Sequence, residues 1–151
     1  MTVASTSQWL IPAVLGAAVT LGIFGWRLWE NWRPPKVRFV VDAKTREYRV
    51  EVVNHRVRKL HIRELGLLPE GGAPVVVSPS SWMGGNPIGE QDALIASVDF
   101  DAMIRFVGGF CRGRARVRVR AYVVTGTGRR YLSKPMFYDV KTQRLSEKEP
   151  K

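Results

Sequence analysis

Residues 115–125 read ARVRVRAYVVT. Ala115, Val117, Val119, Ala121 and Val123 alternate with larger or charged residues. Successive side chains of an extended chain point to opposite faces, so strict alternation of this kind predicts a half-buried β-strand. The same alternation puts Arg112, Arg114, Arg116, Arg118 and Arg120 in one row, on the side opposite the apolar residues. If the strand ran the full length of that row, neighbouring guanidiniums would stand about 6.8 Å apart. The tripeptide GTG at 126–128 then forms a tight turn. RRYLSKPMFYDV at 129–140 returns as a second strand, kinked or at a sheet edge because Pro135 cannot donate to a ladder.

The alternation extends upstream. VRFVVDA at 37–43 places Val37, Phe39 and Val41 on one face, and YRVEVVN at 48–54 does the same with Tyr48, Val50 and Val52. KTRE lies between them, as a hairpin turn would. KLHIREL at 59–65 points Leu60 and Ile62 inward, then slips phase at Glu64–Leu65, which predicts a bulge. EGGAP at 70–74 is a loop, VVVSP at 75–79 a short strand, and SPSSWMGGNPIGEQD at 78–92 a long polar connection. ALIASVDF at 93–100 is extended again. DFDAMIRFVGG at 99–109 predicts one or two helical turns, capped by Asp99 or Asp101 and ended by Gly108–Gly109. Short strands separated by regular turn signals predict an all-β domain over 37–140, an antiparallel β-sandwich of immunoglobulin-like type with one short helix. Residues 141–151 are polar and predict a disordered tail.

The first 36 residues belong to a different class. WLIPAVLGAAVTLGIFGW at 9–26 carries no charge. Eighteen residues at 1.5 Å each reach about 27 Å, close to a hydrocarbon core. Trp9, Trp26, Trp29 and Trp32 flank the run as interfacial tryptophans do. Residues 1–8 are then a short tail, 9–32 a single transmembrane helix with an interfacial end, and 33–36 a proline linker. Pro12 falls in the first turn of that helix. Basic residues follow the helix (Arg27, Arg33, Lys36, Arg38, Lys44, Arg46) and none precedes it. The positive-inside rule therefore predicts an outer N-terminus and a cytoplasmic body at the cell membrane. Ala18, Gly22 and Gly25 form a small-residue face through which two anchors would self-associate into a homo-oligomer.

Charge and cysteine count narrow the function. Lys plus Arg number 24 against 13 for Asp plus Glu, a net charge of +11 over 151 residues. A single cysteine, Cys111, excludes an intrachain disulfide framework, and two histidines leave little for a zinc module. His55 and His61 read as surface residues, and Asp99 and Asp101 as helix caps. No catalytic residue, metal site or cofactor is expected. The arginine row needs anions. Asp42, Glu47 or Glu51 could supply them from a neighbouring strand, or a partner could: anionic membrane lipid or an acidic protein. Nucleic acid is disfavoured, because no recognition helix or aromatic platform accompanies the basic residues. Trp82, beside Met83 in SSWMGGNP, is a loop residue that either contacts a partner or folds back over the end of the sandwich.

The order of a membrane helix, a basic proline linker, YRVEVVNHRVRKLHIRELGLLPEGG and VRVRAYVVTGTGRRYLSKPMFYDV resembles uncharacterised single-pass membrane proteins of actinobacteria and their phages. The resemblance covers most of 37–140 and implies a fold, without any site residue to carry across. The expected role is a non-enzymatic, membrane-anchored interaction module. Its basic sandwich would bind a protein partner or anionic lipid at the inner membrane face through Arg112, Arg114, Arg116, Arg118, Arg120 and Trp82. The alternative is a membrane-active protein of a phage or its host, working through anchor oligomerisation in lysis or superinfection exclusion.

Overall fold

The computed structural model describes residues 6–42, 47–56, 58–78, 82–83, 85–111, 113–142 and 144–147. The chain divides into two compact units, residues 1–33 and 34–151.

The first unit is one helix, α1 (Thr6–Trp32, 27 residues). It starts earlier than the apolar run at 9–26, so Pro12 lies inside the helix and not in its first turn. There it removes one rung of the backbone ladder. The Pro12–Glu30 stretch is long and apolar enough to cross a membrane, and none of it is buried. Thr20 Oγ1 donates to the Gly16 carbonyl at 2.7 Å, which satisfies that hydroxyl within the helix. At the C-terminal end Trp26 and Trp29 pack with centroids 5.5 Å apart. The Arg33 guanidinium sits 4.0 Å over the Trp29 ring.

The second unit is mostly β, with all strand pairs antiparallel. Strands β1 (Lys36–Asp42), β2 (Glu47–Val53), β5 (Trp82–Met83) and β6 (Ala93–Asp99) form one sheet in the order β1-β2-β6-β5. Strands β3 (Ile62–Pro69), β4 (Val75–Val76), β7 (Arg116–Thr125), β9 (Met136–Asp139) and β10 (Arg144–Ser146) form the other, in the order β10-β9-β7-β3-β4. Strand β8 (Arg130–Leu132) also pairs with β7. The inward residues of both sheets join one buried cluster. It includes Tyr48, Val50 and Val52 from β2, Leu65 and Leu67 from β3, Leu94 and Ala96 from β6, and Val117, Val119 and Ala121 from β7.

Four local readings change. The phase slip of β3 lies between Ile62 and Glu64, just before the expected position. Helix α2 (Phe100–Cys111) runs 12 residues and passes through Gly108–Gly109. Its buried Met103 and Val107 hold it against the core, and that packing outweighs the roughly 1 kcal/mol that a helical glycine costs. Asp99 caps α2 by accepting from the Ala102 amide, and Gly113, at φ +82°, follows its end. The strand after the GTG turn is broken into β8 and β9 at Ser133–Pro135. There the Ser133 hydroxyl accepts from the Ala121 amide in place of a backbone carbonyl. Part of the segment expected as a disordered tail forms β10, which pairs with β9.

The polar connection before β6 is fastened by two amides. Asn54 is fully buried, and its Nδ2 donates to the carbonyls of Arg58, Ile88 and Gly89. Its Oδ1 accepts from the Arg56 amide. Asn86 accepts from the Ile62 amide and donates to the Ile62 carbonyl, as a pairing strand would. Leu60 and Ile88 exchange two backbone hydrogen bonds of 2.9 Å.

Candidate interaction face

The outer face of the second sheet is built on β7. Val117, Val119 and Ala121 point into the core and are almost fully buried, so Arg116, Arg118 and Arg120 point away from it. The row of five arginines is therefore shorter on the strand than the sequence predicts. Arg114 precedes β7, because α2 and the turn at Gly113 take up the chain before it. Arg112 lies outside the described residues.

The register decides which groups neutralise the row. Arg116 stands opposite Asp139 on β9 and forms an ion pair of 3.7 Å with it. Asp139 also accepts from the amides of Thr142 and Lys141, and the Thr142 amide above all holds its carboxyl below the usual carboxylate range. Arg118 stands opposite Phe137, with its guanidinium 5.3 Å from the ring centroid. It pairs at 3.7 Å with Glu70, just beyond β3. Arg118 Nε is nonetheless buried without a hydrogen-bond partner. Arg120 faces Leu68 across the ladder and has no ion-pair partner among the described residues. Arg118, Arg120, Glu70, Gly71, Leu68 and Leu132 line a groove of about 310 Å³.

Further along β7 the face becomes aromatic. Tyr122 is fully buried although it shares the parity of the arginines. Its ring lies against Gly66 on β3, where a side chain would strike both that ring and the Val75 carbonyl. Its hydroxyl donates to Glu64, and Arg130 lies 5.2 Å over its ring. Burial, and then the Glu64 carboxylate, push the Tyr122 phenol well above its ordinary range.

The carboxylates expected to neutralise the row serve the other sheet. Arg49 of β2 takes Asp42 at 3.0 Å and Glu47 at 3.6 Å, and Glu51 stands opposite Arg38. The groups that do meet the arginines, Glu70, Asp139 and Phe137, escaped the sequence reading. Phe137 and Asp139 lie in the segment that returns after β7, whereas Glu70 is brought to Arg118 only by the pairing of β3 with β7.

The other candidates fall elsewhere. Trp82 does not sit in an exposed loop. It pairs with Ala96 from the edge strand β5 and is half-buried against the core. His55 and His61 are exposed, and Asp99 is a cap. Cys111 ends α2. Among the described residues no three His, Cys, Asp or Glu side chains converge on a metal position. Ala18, Gly22 and Gly25 are exposed on α1, with nothing within 4 Å of a side chain added at either glycine.

A row of guanidiniums beside an aromatic ring offers bidentate hydrogen bonds to carboxylate or phosphate. The chain matches no known family, no curated protein and no solved structure.

Proposed function

We propose that the chain is a membrane-anchored, non-enzymatic interaction module. In this reading α1 crosses the bilayer once with its N-terminus outside, and the second unit is an immunoglobulin-like sandwich in the cytoplasm. The sandwich binds an acidic protein partner or anionic lipid at the inner membrane face. The observation that carries it is the outer face of β7, where three arginines meet two carboxylates and Arg120 has no ion-pair partner among the described residues.

Three further observations support it. The strand order β1-β2-β6-β5 against β9-β7-β3 corresponds to A-B-E-D against G-F-C of an immunoglobulin sandwich, with β4 and β10 added at the edges. The apolar stretch of α1 is unburied, as a helix solvated by lipid would be. Stacking of Arg33 on Trp29 suits an interfacial belt at the cytoplasmic end.

The test uses the full chain in nanodiscs and a fluorescent polyglutamate peptide. Arg118→Gln with Arg120→Gln should weaken binding about tenfold or more, and added salt should weaken it further. Equal binding by the double variant would remove the arginine face from the proposal. Protease added to intact cells should spare a C-terminal tag, and cleavage there would reverse the topology.

A bilayer-active role is the second reading, favoured by the open face of Ala18, Gly22 and Gly25. Leucine at Ala18 and Gly22 would abolish such an activity and leave peptide binding unchanged.

A further inference from the structure

A second cationic site lies away from the arginine row. The edge strand β1 and the Ser133–Pro135 break flank a groove of about 450 Å³. Lys36, Arg38 and Lys134 line it, against the single carboxylate of Glu147. All three cations are exposed, and none has an ion-pair partner among the described residues. The floor is apolar: Val37, Phe39 and Met136 line the groove and are each less than a tenth exposed.

We infer that this groove holds the phosphate headgroup of an anionic phospholipid from the bilayer that α1 enters, an inference that rests on the membrane-anchored reading above. Two features select that occupant. Only Arg33, Pro34 and Pro35 separate the end of α1 from Lys36, and four Cα steps reach at most about 14 Å. The linker thereby keeps Lys36 within reach of the headgroup zone, where basic residues are drawn to anionic lipid. The pairing of three cations with an apolar floor also matches a lipid, whose phosphate lies next to its glycerol and upper acyl carbons. The arginine face on β7 then stays available to a protein partner while the groove holds lipid.

The experiment is native mass spectrometry of the full chain released from micelles containing equal phosphatidylglycerol and phosphatidylcholine. Phosphatidylglycerol adducts should exceed phosphatidylcholine adducts by about tenfold. Replacing Lys36, Arg38 and Lys134 with Gln should bring the ratio near one, whereas Lys36→Arg with Lys134→Arg should preserve it. Arg63→Gln with Arg129→Gln, two exposed arginines outside both cationic surfaces, should leave it unchanged. Parity in the parent chain, or a preference that survives the triple replacement, overturns the inference. Alkaline carbonate extraction of native membranes separates the two levels. A chain that stays in the membrane but shows no lipid preference sinks the groove alone, and a chain that is released sinks the anchor reading and the groove together.

Discussion

Strands β2 and β7 lie inside their sheets, and both alternate core and surface residues. β2 turns Tyr48, Val50 and Val52 inward, and β7 turns Val117, Val119 and Ala121 inward. Their outward triplets differ: Glu47, Arg49 and Glu51 on β2, and Arg116, Arg118 and Arg120 on β7. On β2 the single arginine is held between Asp42 and Glu47. On β7 three arginines share Asp139 and Glu70, and the nearby Glu64 is engaged by Tyr122. The hydrophobic alternation is the same, so burial alone makes the two strands equivalent. Cross-strand neighbours give the β2 arginine two carboxylates and the three β7 arginines two between them, while Arg49 and Arg118 alike keep a buried Nε without a hydrogen-bond partner.

Charge reversal breaks the comparison most sharply. Arg49→Glu removes both ion pairs and sets a fourth carboxylate beside Asp42, Glu47 and Glu51. It should cost about 2 kcal/mol, read as a lower urea midpoint at unchanged slope. An unaltered midpoint would mean that the β2 face is not electrostatically closed.

Alkali compares the two sheets through their buried tyrosines. Burial, and then Tyr138, push the Tyr48 phenol up to about 12, and Tyr122 is raised as well. A phenol whose folded pKa exceeds the unfolded value near 10 contributes stability that is complete below pH 10 and lost as pH climbs toward the folded value. Unfolding midpoints should therefore fall between pH 10 and 12. The combination of Tyr48→Phe and Tyr122→Phe should flatten that fall, and a persistent slope would assign it to lysines instead.

The smallest effect belongs to β7. Arg118→Glu places a carboxylate between Arg116 and Arg120, relieving repulsion as it loses Glu70 and the contact with Phe137. Stability should change by less than about 0.5 kcal/mol, while polyglutamate binding collapses. A large loss of stability would show the row to be structural.

These outcomes depend on what a linear sequence encodes. The period-two runs at 37–41, 48–52 and 115–123 mark β1, β2 and β7 and their buried faces, because the pleat itself sets that period. A cap at Asp99 or Asp101 was equally legible, since such a contact is local, and it is Asp99 that accepts from the amide three residues on. The full length of α2 was hidden by its glycines, whose cost is repaid only by tertiary packing of Met103 and Val107. Which carboxylate meets which arginine was hidden for a different reason. Glu70 reaches Arg118 only because β3 lies beside β7, and Lys134 shares a groove with Lys36 only through packing between distant segments. Side-chain direction is local information, whereas adjacency belongs to topology.

The buried Asn54 ties these distant segments together in a way that bears on how the body opens. One amide group carries the carbonyls of Arg58, Ile88 and Gly89, and its own backbone exchanges bonds with Gln91 and Asp92. Should that side chain let go, the amide protons of Leu60, Ile88 and Gln91 lose their shelter together, with both sheets still paired. This end of the body should therefore exchange with solvent as one unit ahead of the amides of β2 and β7, an order that amide hydrogen exchange would read directly.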